Sequence, residues 1–188
     1  MTSTTSKRSY APLTRAHLGR LGDLANQDHR KFTRSKGRPE YRHRRVAVVL
    51  AQGAALHFVN KKNGVKDLDV WTFYAAIPGK LFRFGQRKVH VDFGVSEHGR
   101  NKYPPGFKHP QLKRWLQFRG RRVDFMIRSL PVAVDAPSDE VVAALRSWLS
   151  NGARLRRRED EKMPSNWWLA QKAVVMIEPL RGQVIWPV

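Results

Sequence analysis

The chain has no cysteine, which excludes disulfides, thiolate metal sites and a thiol nucleophile. It also lacks a long apolar run. The longest, Val46 to Val59, is interrupted by Gln52, Gly53 and His57 and falls short of the ~20 residues that span a bilayer. No apolar signal core opens the sequence, so a cytoplasmic protein without a membrane partner is the expectation. Glycine-rich phosphate loops of the Walker A or Gly-x-Gly-x-x-Gly kind are missing, as is the Gly-x-Ser-x-Gly of serine hydrolases. The seven histidines are widely spaced and form no His-Glu-x-x-His set, so they predict no zinc site.

Acids are scarce as well. Fifteen Asp and Glu stand against 36 Lys and Arg, for a net charge of +21 and an isoelectric point near 11.3. Such a field attracts polyanions, of which nucleic acid is the commonest. What is present is a core: 41% of residues are hydrophobic and six are Trp. That is enough for one domain over residues 13–188, after a polar, flexible tail at 1–12.

Helical spacing of Leu13, Ala16, Leu18, Leu21, Leu24 and Ala25 predicts a first helix to about His29. A basic connection through Arg45 follows, in which Tyr41 and His43 lie among arginines. Val46 to Ala51 is a strand or a helix core. Val65 to Tyr74 and Arg121 to Leu130 read as strands, and the alternation from Lys88 to Phe93 suggests another. Ser138 caps a helix that Asn151-Gly152 ends, and a last helix is expected from Pro164 to about Ile177.

The densest chemical signal is Lys66-Asp67-Leu68-Asp69-Val70. On a strand Asp67 and Asp69 share one face while Leu68 and Val70 take the other. Two adjacent carboxylates repel each other and are costly to desolvate, a cost that a divalent cation removes. Asp124, in Arg122-Val123-Asp124-Phe125, is a third acid in a strand-like run, and Asp92 in Val89-His90-Val91-Asp92 is its rival. Oxygen-only donors suit Mg²⁺, which keeps waters and substrate phosphates as its other ligands. The structural alternative is a solvated strand end paired with Lys66 or Arg122.

A second signal is the basic stretch from Lys80 to Arg122, with twelve Lys or Arg, two acids, and interleaved Phe82, Phe84, Tyr103, Phe107, Trp115 and Phe118. Cations for phosphates and rings for bases suit single strands or RNA ends. Lys113, Arg114, Arg119, Arg121 and Arg122 are its best phosphate candidates. Trp167-Trp168 is either a stacking platform or a pair with one core anchor.

The ordered set Gln52-Gly53-Ala54-Ala55-Leu56, Asp67-x-Asp69 and Asp124 resembles the nucleotidyltransferase superfamily of the polymerase-beta type, in its stand-alone bacterial form. The resemblance runs from about Val46 to Leu130. Ala54 stands where the family has a second Gly or Ser, and a basic insert lengthens the path to Asp124. The resemblance implies an α/β (α+β) fold, a mixed sheet flanked by helices with N- and C-terminal helices. It implies transfer of a nucleotidyl group from an NTP to an RNA or protein acceptor. Two Mg²⁺ ions would be held by Asp67, Asp69 and Asp124, with Asp124 able to act as base. Gly53, Ala54 and Lys66 would lie against the nucleotide. A protein partner, in the manner of toxin–antitoxin or phage-defence components, is a further implication. The alternatives are a non-catalytic basic nucleic-acid-binding protein of the same fold and a metal-dependent nuclease.

Overall fold

The computed structural model describes residues 12–34, 38–61, 65, 67–83, 85–93, 121–157 and 162–187. They form a six-stranded mixed sheet in the order β3-β4-β2-β1-β5-β6 with helices on both faces. Helix α1 (Arg15–Arg34) leads into a single 3-10 turn at Pro39–Tyr41 and strand β1 (Arg45–Ala51). Helix α2 (Gln52–Asn60) follows at once, then β2 (Asp67–Ala75), β3 (Gln86–Asp92) and β4 (Arg122–Leu130). Two helices, α3 (Ser138–Ala153) and α4 (Ser165–Ala170), precede β5 (Ala173–Glu178) and β6 (Val184–Trp186).

Strand β1 is antiparallel to both β2 and β5, β2 runs parallel to β4, and β3 is antiparallel to β4. Central strands are covered twice, so their residues are apolar on both sides. One face of the sheet, bearing Val48, Leu50, Leu68, Val70, Val123 and Phe125, packs on α1 and α2 through Leu18, Leu21, Ala54 and Ala55. The other, bearing Ala47, Val49, Trp71, Phe73 and Met126, packs on α3 and α4 through Val141, Leu145, Leu149 and Leu169. Fully burying each of the Val, Leu, Phe and Met side chains among these contributes roughly 1.5–3 kcal/mol.

The expected mixed α+β fold is what the chain adopts. Local expectations change in four places. Val46 to Ala51 resolves as strand. Helix α3 does not end at Asn151-Gly152 but runs through them to Ala153. Ser138 is its first residue and Pro137 its N-cap, so no serine cap bond is made. The last helix is short: it stops at Ala170, and Ala173 to Ile177 is a buried strand beside β1. Val174, Val175 and Ile177 are β-branched and buried on both sides, and a strand covered on both faces shows no alternation to distinguish it from a helix.

A third, aromatic cluster joins α1 to the sheet. Phe32, Tyr41, Tyr74 and Ile127 are buried together, with Phe82 packed against them. Tyr41 and Phe82 meet edge to face at 5.4 Å. These two rings, counted in the sequence among aromatics beside phosphate-binding cations, serve the core instead.

Candidate functional site

Strand β2 begins with the alternation the sequence announces. Leu68 and Val70 are fully buried toward α1 and α2, while Asp67 and Asp69 are only partly covered on the opposite face. From Trp71 onward that second face is closed by α3, α4 and their neighbours. The acids therefore stand where the helical cover of the sheet gives out.

The pairing order places one acid directly beside Asp69. The parallel ladder sets Asp67 opposite Arg122 and Asp69 opposite Asp124. Residues opposite one another on neighbouring strands share a face, so Asp67, Asp69, Arg122 and Asp124 form one patch. Asp92 lies one strand further out, opposite Arg122 and so on the same face, two strands from Asp67 and Asp69. His90 is opposite Asp124 in the same ladder. The row Asp69, Asp124, His90 thus crosses three adjacent strands.

Arg122 is the electrostatic centre of the patch. Its Nη2 donates to Asp124 Oδ2 at 2.6 Å and lies 3.5 Å from Asp67 Oδ2. Asp124 is 4% exposed and Arg122 9%. Desolvating each charge carries a large penalty, which this short ion-paired bond offsets. Arg121, at 3%, is buried too. Neither of these two arginines presents an exposed guanidinium, although both head the sequence's phosphate-binding stretch. Lys66, Lys113, Arg114 and Arg119, with Phe84, Tyr103, Phe107, Trp115 and Phe118, lie outside the described residues.

The turn ahead of α2 approaches the same place. Ala51, the last residue of β1, is opposite Asp69, so the first turn of α2 starts beside the acid row. The left-handed backbone there belongs to Gln52, with φ of 60°, rather than to Gly53. A side chain at that φ costs of order 1–3 kcal/mol. A Cβ built on Gly53 meets nothing within 4 Å, so the glycine opens space instead of satisfying a turn. Ala54 is buried against the core of the other face.

Further along the acid face, Arg128 holds a different environment. Its Nε donates to Ser165 Oγ at 2.9 Å, its Nη1 to the Ile127 carbonyl at 2.8 Å, and its guanidinium lies 5.4 Å from the Trp71 ring centre. Burial pushes its pKa down. This contact fastens α4 to the strand that carries Asp124.

In donor type the patch suits a hard divalent cation, since three carboxylates lie on one sheet face and two of them are direct neighbours in register. Arg122 presently supplies the positive charge between Asp67 and Asp124. Among the described residues no group of three His, Asp or Glu is gathered as a ready metal cage. Among them, too, no helix is long and apolar enough to cross a membrane. Compared with protein-family models, with curated proteins and with solved structures, the chain has no significant match.

Proposed function

We propose that the chain is a Mg²⁺-dependent nucleotidyltransferase that moves a nucleotidyl group from an NTP to an RNA acceptor. The observation that carries the reading is the placement of Asp69 directly opposite Asp124, with Asp67 joined to Asp124 through Arg122. This arrangement sets two partly covered carboxylates, Asp67 and Asp69, at the end of an otherwise closed sheet face beside the buried Asp124. It suits chemistry in which the protein chiefly positions phosphates and neutralises their charge.

In this reading Asp67, Asp69 and Asp124 hold the metal. When bound, Mg²⁺ supplies Lewis acidity and charge neutralisation at the reacting phosphate. Arg122 exchanges its carboxylate partners for phosphate oxygens as the nucleotide enters, keeping a cation beside the charge that develops. The open space over Gly53 and the first amides of α2 receive the triphosphate. The acceptor is nucleic acid because the net charge of +21 favours a polyanion over a protein.

A second reading has its own support. Arg122 already neutralises two of the three acids, as it would in a basic nucleic-acid-binding protein that keeps the fold without catalysis. An assay with each α-labelled NTP, Mg²⁺, cellular RNA and cellular protein separates the two. Label on RNA with wild type, absent with Asp67→Asn/Asp69→Asn, is the expected result. Shortened RNA without NTP would replace transfer by hydrolysis. RNA retention by both proteins with no label from any NTP would favour the binding module.

A further inference from the structure

Among the described residues, Trp168 is the aromatic side chain that the fold leaves exposed. Helix α4 sends Leu169 into the core, fully buried, and Ser165 to Arg128. Trp168 faces outward at 47% exposure. Neither tryptophan of the pair is the core anchor, since Leu169 is.

The ring also has a defined neighbour. Trp167 stands edge to face against it at 4.8 Å, with an interplanar angle of 87°. Trp167 is fixed in turn by its Nε1, which donates to the Leu155 carbonyl at 3.2 Å. Asn166 Nδ2 donates to the Trp148 carbonyl at 3.0 Å. Gly152 brings the end of α3 so close to α4 that an added Cβ would lie 2.5 Å from the Asn166 oxygen. These contacts place the chain just after α3 beside the tryptophan pair. There Arg154, Arg156 and Arg157 are all exposed.

A solvent-facing indole close to a chain segment with three exposed arginines matches what single-stranded nucleic acid offers, a base face and a run of phosphates. We infer that Trp168, with Arg154, Arg156 and Arg157, forms a docking platform for a single-stranded nucleic acid, the ring stacking on one base and the arginines meeting the adjoining phosphates. The platform lies on the sheet face that carries the acids, and Arg128 and Ser165 tie it to strand β4. This inference rests on nucleic acid being the acceptor class, but it makes no use of catalysis.

The test is binding of a labelled single-stranded RNA oligonucleotide to the full chain, without NTP, over a range of salt, beside a duplex of the same sequence. Trp168→Ala should weaken single-strand binding about tenfold at unchanged salt slope, and Trp168→Phe should recover most of it. Arg154→Gln/Arg156→Gln/Arg157→Gln should flatten the salt slope by about two units. Transfer is assayed separately on the same preparations, so loss of transfer and loss of docking are read apart. Single-strand binding unaltered by Trp168→Ala overturns the platform while leaving the transfer reading intact. Failure of wild type to bind any single strand overturns the platform and the choice of acceptor together.

Discussion

The Arg122 guanidinium donates to the Asp124 carboxylate at 2.6 Å, two positions along the same strand and on the same face. Both groups are more than nine-tenths buried, so each is the other's main compensation for lost water. Arg122→Gln leaves Asp124 buried beside a neutral group and is expected to cost about 3–5 kcal/mol, measured by denaturant unfolding. Replacing both, as Arg122→Met/Asp124→Leu, should cost less than the sum of the single changes, because no lone charge remains. Equal and additive costs would mean that the pair does not act as a unit.

How much of this site could be read beforehand depends on what pairing adds. Asp67 and Asp69 were legible because a strand displays alternation directly, and their partly covered face is where alternation put it. The third acid was not decidable between Asp92 and Asp124, since both follow similar apolar neighbours. Only the order β3-β4-β2 puts Asp124 next to Asp69. Arg122 looked like one more cation in a basic stretch, and its burial between carboxylates depends on a partner strand 55 residues earlier. Ala173 to Ile177 shows no strand signal in the sequence for a related reason. Its residues are buried on both sides, so the sequence carries no period, and pairing with β1 decides. Gly152, taken as a helix stop, is instead a contact surface between two helices.

His29 gives the fold a pH dependence of known sign. Its Nε2 lies 3.2 Å from the Arg42 carbonyl, to which it donates, and its Nδ1 accepts from the Tyr74 hydroxyl at 3.0 Å. Burial, and then the charge of Arg45, lower its pKa below the usual 6.5. The unfolded chain therefore binds this proton more readily than the folded one. The stabilisation is complete above about pH 6.5 and is lost as pH falls through that value toward the lowered one. Unfolding free energy measured between pH 7 and 5 should fall more steeply for wild type than for His29→Gln. Parallel curves would remove His29 from the account.

The two glycines at helix ends should respond oppositely to alanine. Gly152→Ala places a methyl 2.5 Å from the Asn166 oxygen and 2.7 Å from the Trp167 nitrogen. Since these are backbone atoms, α3 and α4 must separate, at a cost of about 1–3 kcal/mol. Gly53→Ala meets open space and gains helix propensity, so stability should hold or rise by up to ~1 kcal/mol. Under the proposed function the same methyl enters the space kept for the triphosphate. The expected signature of Gly53→Ala is a stable protein with a raised KM for NTP.

The central claim is that Asp67, Asp69 and Asp124 are a metal site and not merely carboxylates neutralised by Arg122. Mn²⁺ binding, followed by electron paramagnetic resonance in the presence of a non-hydrolysable NTP analogue, tests this most directly. Wild type should take up Mn²⁺ in a nucleotide-dependent manner, and Asp69→Asn, at an only partly covered position beside Asp124, should lose that uptake while staying folded. Equal Mn²⁺ uptake by the two proteins, or none by wild type with nucleotide present, would contradict the claim.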